Sequence, residues 1–120
     1  MAGMDWQEWA RRLEQFAEER EWAQFHSPKN LAVALSVEAA ELLEPFQWLG
    51  EAESSELSTE QRAAVAEEIA DVQLYLFRLA DRLGIDLEAA LEAKFARNAE
   101  KYPADRVRGS ARKYTEYDPE

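Results

Sequence analysis

Two pairs of acidic residues lie within segments of the sequence that are otherwise apolar. Glu38 and Glu41 occur in the stretch ALSVEAAELL, and Glu68 and Asp71 occur in EEIADVQLYL. Residues three apart on an α-helix differ by about 60° around the axis and by about 4.5 Å along it. Each pair can therefore direct two carboxylates at one point. If the two helices pack side by side, four carboxylates meet.

Four carboxylates in a partly buried site repel one another, and a divalent cation would relieve that repulsion. Oxygen ligands favour Mg²⁺, with Mn²⁺ as a second choice, over zinc, and the chain has no cysteine and one histidine. A di-iron site is excluded, because it requires Glu-x-x-His on two helices and Ala23 lies three residues before His26. The alternative is a solvated helix face, since the same spacing recurs at Glu53 and Glu56.

Capping and terminating residues predict four helices, over about residues 6–20, 28–44, 59–83 and 87–102. Ser58 with Gln61 forms a capping box, and Asp5 with Glu8 resembles one. The segment LGEAESSELS is predicted to be a loop. Four helices with short connections indicate an all-α, four-helix bundle-like fold in a single domain over residues 1–120. The signals are caps at Asp5, Ser27, Ser58 and Asp86 and stops at Pro45, Gly84 and Pro103.

The third predicted helix is apolar on nearly every face. A helix of this kind must be covered on nearly every face, and one small bundle offers few partners to cover it. We therefore expect self-association through this helix, as a homodimer or a dimer of dimers. Its main stripe is Val65, Ile69, Val72, Leu76, Leu79 and Leu83.

Composition narrows the classes of partner. The net charge of −11 argues against nonspecific binding to nucleic acid polymers. No apolar stretch approaches the roughly 20 residues of a membrane span, so no membrane association and a cytoplasmic location are expected. Positive charge gathers in KYPADRVRGSARK, residues 101–113, at the start of a basic C-terminal tail of about residues 103–120. That segment is either a solvated tail or an arm that binds phosphate.

The spacing of the two acidic pairs resembles the sequence signature of a known protein family. EAAE at 38–41 followed by EIAD at 68–71 resembles the signature of the MazG-like all-α nucleoside triphosphate pyrophosphohydrolases. REWAQFHSPKNLA, ELLEPFQW, EEIADVQLYL and RKYTEY are similar to segments of the dCTP pyrophosphatase branch. The resemblance covers most of residues 8–117.

The resemblance implies hydrolysis of a nucleoside triphosphate, most simply dCTP or a modified dCTP, to the monophosphate and pyrophosphate with Mg²⁺. It implies that Glu38, Glu41, Glu68 and Asp71 hold the metal and that Glu38 or Glu41 orients the attacking water. The implied base-binding residues are Trp22, His26 and Trp48, and the implied phosphate-binding residues are Lys94, Asn98, Lys101, Arg112, Lys113 and Tyr114.

Two alternatives remain open from the sequence. One is a MazG-like enzyme with another base preference, such as dUTP or a damaged deoxynucleotide. The other is a noncatalytic helical interaction protein that uses the apolar third helix to bind a partner, with the acidic residues solvated. Release of pyrophosphate from a panel of nucleotides distinguishes all three.

Overall fold

The computed structural model describes residues 3–112 and 114–116, and the chain forms two compact units that meet in sequence between Ile85 and Asp86. Within the described residues every regular element is helical, which confirms the all-α prediction. No helix among them is long and apolar enough to cross a membrane. The helices are α1 (Trp6–Glu19), α2 (Pro28–Leu43), α3 (Glu51–Ser54), α4 (Thr59–Arg82), α5 (Leu87–Lys101) and α6 (Ala104–Val107), with short 3₁₀ turns at Ala23–Phe25 and Tyr114–Glu116.

The predicted caps define the helix starts. The Ser27 hydroxyl accepts a hydrogen bond from the backbone N–H of Asn30 at 3.1 Å, and Pro28 occupies the first turn. Ser58 and Gln61 exchange hydrogen bonds as a capping box. Asp5 caps α1, but Glu8 pairs with Arg11 instead of returning to the Asp5 backbone, so the predicted box is only half formed.

The segment predicted to be a loop after α2 contains the short helix α3. Its start is stabilised because the backbone N–H of Gly50 donates to the Glu53 side chain at 3.2 Å. The prediction was therefore wrong at residues 51–54. The polar composition of this segment hid a single helical turn whose cap uses a side chain three residues later.

In the first unit, α4 packs against both α1 and α2. The buried apolar side chains are few and come from all three helices. Leu31 is buried, and Leu35, Glu38 and Leu42 on the same side of α2 are half-buried, as their spacing predicts. The acidic residue Glu38 thus faces α4 from a mainly apolar side of its helix. The buried apolar set is Ala10, Ala17, Leu31, Phe77 and Ala80.

Several large apolar side chains of α2 and α4 remain exposed. On α4, Ile69, Leu76 and Leu83 recur every seven residues, and on α2 Val33 and Val37 lie one turn apart. Packing of α1 and α2 on α4 covers only part of the apolar stripe predicted on α4. Val65, Val72 and Leu79 of that stripe are half-buried, whereas its other three residues are exposed. This is the pattern of a face that packs against something further.

In the second unit, α5 begins at the predicted cap, where the Asp86 carboxylate accepts from the backbone N–H of Ala89 at 3.1 Å. Gly84 precedes it with φ 66°, a left-handed conformation that suits glycine. Helix α5 ends before Pro103, as predicted. The single-domain organisation, the extent of the basic tail and self-association stay predictions.

Candidate active site

Three of the four predicted acidic residues form one cluster. Glu38 and Glu41 on α2 and Glu68 on α4 each offer a carboxylate oxygen, and these oxygens all lie within 4.8 Å of one another. All three side chains are half-buried. The i, i+3 spacing on α2 and the packing of α2 against α4 produce this arrangement, as the sequence predicts.

The environment of the cluster disfavours the charged form of two of its carboxyl groups, those of Glu38 and Glu41. Burial, followed by the proximity of Glu68 and Asp71, raises the pKa of the Glu38 carboxyl above its ordinary value. A hydrogen bond with Glu38, together with the charge of that neighbour, raises the pKa of Glu41. Both shifts favour the neutral form of these carboxyl groups more than water does for solvated carboxylates.

Asp71 lies one helical turn beyond Glu68 and outside the group of three closest carboxylates. Its side chain is exposed, yet its charge still contributes to the raised pKa of both Glu38 and Glu41. The same residue also lines a neighbouring cavity. Asp71 thus connects the acidic cluster with that cavity.

The cavity is an aromatic-lined space of about 190 Å³ in the first unit. Trp22 and His26, both predicted to bind the base, lie in its wall. Trp22 stacks edge-to-face on Phe16, with ring centroids 5.7 Å apart. The mixture of apolar walls with a few polar groups is typical of a small-molecule site. Its lining is Leu13, Phe16, Trp22, His26, Leu31, Asp71, Leu74, Tyr75 and Arg78.

A buried arginine organises the polar side of this cavity. The Arg78 side chain is 3% exposed and forms an ion pair with Glu14 of α1. Its Nε donates a hydrogen bond to Nδ1 of His26 at 3.1 Å. Burial and the positive charges of Arg78 and Arg82 lower the pKa of His26, so the ring is neutral at neutral pH. The hydrogen bond from Arg78 lowers the pKa of Glu14, which keeps that carboxylate charged.

The remaining predicted substrate residues lie elsewhere. Trp48 is 88% exposed and is not part of the cavity wall. Lys94 and Asn98 are exposed and Lys101 is half-buried on α5, where their spacing puts them on one face. Arg112 is exposed, Lys113 lies outside the described residues, and Tyr114 begins a 3₁₀ turn. These last six residues fall within the second unit, and their part in the site stays a prediction.

Three residues at or beside the cavity were not predicted from the sequence as site residues: Glu14, Tyr75 and Arg78. Tyr75 and Arg78 follow Asp71 at i+4 and i+7, so they continue its face of α4 toward the cavity. A charged residue inside the apolar run LYLFRLA was an available signal for Arg78. Glu14 carried no comparable signal, since α1 is rich in acidic residues.

The donor set of the acidic cluster fits a divalent metal ion. One carboxylate oxygen of Glu38 and one of Glu68 are buried and have no hydrogen-bond partner. Such orphaned anionic acceptors are costly unless a cation or a proton binds them. The available ligands are all oxygens, which suits a hard cation. The structure therefore brings together ligands suited to a divalent cation.

Comparison with known proteins gives consistent matches. The sequence profile of the MazG-like family matches residues 33–117. Over 109 residues the chain is 49% identical to human dCTP pyrophosphatase 1 and 47% identical to the same protein from Rattus norvegicus. These alignments cover 88% of this chain but 64% of each relative. The solved structure of a pyrophosphatase from Archaeoglobus fulgidus is similar with a TM-score of 0.78 and 40% identity, covering 86% of this chain and 96% of the other.

Proposed function

The chain belongs to the MazG-like family, and from this premise we propose that it is a nucleoside triphosphate pyrophosphohydrolase that acts on dCTP or a modified dCTP. The observation that carries the proposal is the cluster of Glu38, Glu41 and Glu68 beside an aromatic cavity. The names of the relatives supply the choice of dCTP, since they are dCTP pyrophosphatases. A preference for dUTP or a damaged deoxynucleotide is the second outcome of the test below.

The reaction is hydrolysis between the α and β phosphates. The oxygen of water forms a bond to the α phosphorus, the bond to the bridging oxygen breaks, and pyrophosphate leaves with the electron pair. The products are the nucleoside monophosphate and pyrophosphate. The attacking water must lose a proton, and the carboxylate of Glu38 or Glu41 is the proposed acceptor.

The proposed ligands for a divalent cation, Mg²⁺ by preference, are Glu38, Glu41, Glu68 and Asp71. When bound, the cation supplies neutralisation of charge on the triphosphate and on the leaving pyrophosphate. The raised pKa of both Glu38 and Glu41 supports this assignment, because a nearby cation would favour the charged form of each carboxyl group. The family membership supports the proposed phosphate-binding residues, which are Lys94, Asn98, Lys101, Arg112, Lys113 and Tyr114.

The cavity is the proposed base site. Trp22 presents an aromatic face, and stacking on such a face contributes about 1–3 kcal/mol per base in nucleic acid complexes. Trp48 lies exposed outside the cavity wall, and we propose from the family resemblance that it also contacts the base.

We further propose that the chain acts as a homodimer or homotetramer in the cytoplasm. The exposed apolar side chains of α2 and α4 support this assembly, because contiguous apolar faces of this kind are uncommon on monomers. Sedimentation equilibrium tests it, and Leu76→Asp, on the exposed stripe of α4, should dissociate the assembly. A monomeric wild-type protein at micromolar concentration would remove this part of the proposal.

The experiment for the activity is a nucleotide panel with detection of pyrophosphate. We expect Mg²⁺-dependent release from dCTP and 5-methyl-dCTP at higher kcat/KM than from dUTP, dTTP or ATP. Higher activity on dUTP would reassign the substrate within the same reaction. No release from any nucleotide would favour a noncatalytic helical interaction protein.

A further inference from the structure

Among the described residues, Arg78 is the one charged side chain that is buried. Its Nη1 pairs with Glu14, its Nε contacts His26, and its Nη2 is buried without a partner. Burying a guanidinium in this way is a poor route to stability, because desolvation opposes the attraction of the ion pair. A role beyond stability therefore accounts better for an arginine at this position.

We propose that Arg78 is a positioning residue that fixes the tautomer of His26, so that Nε2–H donates a hydrogen bond to a pyrimidine base in the cavity. The inference rests on the proposed function in that the ligand is the base of the nucleotide. The acceptor is O2 or N3 of cytosine. The first step, the tautomer, follows from this chain's own contacts alone.

An arginine N–H can only donate, so the ring nitrogen that faces it must carry a lone pair. The contact from Nε of Arg78 to Nδ1 of His26, at 3.1 Å, therefore assigns the neutral ring its proton at Nε2. The ion pair with Glu14 keeps the guanidinium in place for this contact. Among the residues that the structure describes, no hydrogen bond involves Nε2 of His26, so that nitrogen is available to a ligand in the cavity that His26 lines.

The consequence for recognition is that His26 presents a donor and no acceptor to the cavity. N3 of cytosine accepts a hydrogen bond, whereas N3 of uracil and of thymine carries a proton. The O2 atoms of all three pyrimidines accept. Stacking on Trp22 tolerates any base, whereas a donor in the same wall that reaches N3 favours cytosine over uracil and thymine, and one that reaches O2 favours none of the three.

The tautomer can be read directly because His26 is the only histidine in the chain. Protein labelled with ¹⁵N is studied without nucleotide at about pH 8, above the ordinary histidine pKa of about 6.5. Correlations from the ring carbon protons report which nitrogen is protonated. We expect an unprotonated Nδ1 and a protonated Nε2, each at its limiting shift. A proton on Nδ1 in the wild-type protein would overturn the proposal, whatever the variants do.

The matched variants are Arg78→Met and Arg82→Met. Nε of Arg82 also contacts His26, but at the backbone carbonyl oxygen, at 3.2 Å, so its removal leaves the ring contact intact. We expect the two ring nitrogens of Arg78→Met to move toward the averaged shifts of exchanging tautomers, and those of Arg82→Met to keep the wild-type values. Equal changes in both variants, or none in either, would contradict a specific role for Arg78.

The contact with the base is tested by titration with dCMP, which needs no turnover. We expect the Nε2 resonance of the wild-type protein to shift with dCMP and not with 2-deoxyribose 5-phosphate, which lacks the base. In turnover, Arg78→Met should raise KM for dCTP about twofold, because the Nε2–H tautomer then makes up only part of the population, while kcat changes little. An Nε2 that does not respond to dCMP would overturn the base contact even if dCTP is hydrolysed. If dCTP is not hydrolysed, the tautomer and the dCMP titration still decide the proposal.

Discussion

The ion pair between Glu14 and Arg78 allows a sharp prediction, because its two members differ in burial. The Arg78 side chain is 3% exposed, whereas that of Glu14 is 37% exposed. Removing the carboxylate leaves a buried positive charge whose remaining acidic neighbour, Asp81, is 4.0 Å away and largely solvated. Removing the arginine leaves a carboxylate that water can reach. The two truncations should therefore have unequal effects.

Breaking a buried ion pair from one side costs about 3–5 kcal/mol. Solvent around Glu14 and Asp81 reduces that figure, so we expect Glu14→Ala to lower the free energy of unfolding by about 2 kcal/mol. For a chain of this length the loss corresponds to a fall in Tm of about 8 °C. Arg78→Met, which fills a similar volume without charge, should change the free energy of unfolding by less than about 1 kcal/mol.

The assay is urea unfolding of four proteins: the wild type, both single variants and the double variant. In the Arg78→Met background, Glu14→Ala should cost little, since no buried charge is left unpaired. The control is Glu8→Ala, which removes the exposed ion pair with Arg11 on the same helix and should leave stability nearly unchanged. An equal loss from Glu14→Ala in both backgrounds would refute this reasoning and point to packing by the Glu14 side chain.

The other predictions concern the cation, pH and the base site. Mg²⁺ at about 100 times its dissociation constant should stabilise the wild type by about 2.7 kcal/mol in thermal unfolding, and an equal response of Glu68→Gln would exclude Glu68 as a ligand. The pKa of His26 in the folded protein lies below the ordinary 6.5, so the unfolded chain binds a proton at this residue more readily than the folded one. The free energy of unfolding therefore declines as pH falls below about 6.5. Unfolding free energies from neutral to mildly acidic pH should therefore decline less in His26→Gln, and parallel curves would contradict the shift. Trp48→Ala should raise KM for dCTP more than it lowers kcat, and an unchanged KM would remove Trp48 from the base site.

Helix positions were predictable because local signals determine them. Caps at Ser27, Ser58 and Asp86 and the stops at Gly84 and Pro103 act over a few residues, and each appears in the structure where the sequence indicates. The capping box predicted at Asp5 forms only in part. Glu8 had a second partner, Arg11, on its own helix, and that competition is not visible in the capping pattern.

The acidic cluster was predictable for a different reason. Its two residues on α2 share a face by helix geometry, and the apolar surroundings required α2 to pack against α4. The cavity was only partly predictable, since His26 and Arg78 of its wall are separated by 52 residues and meet through tertiary packing. Trp48 lies exposed in the turn after α2, and its place in the base site stays a prediction.

The reaction proposed for this chain is hydrolysis of the α–β phosphate bond through the acidic cluster. It is tested by dCTP hydrolysis in heavy-oxygen water with Mg²⁺, followed by mass analysis of both products, for the wild type and Glu41→Gln. We expect the heavy oxygen in dCMP and none in pyrophosphate, with no turnover by the variant. Heavy oxygen in pyrophosphate, release of dCDP, or wild-type turnover by Glu41→Gln would contradict it.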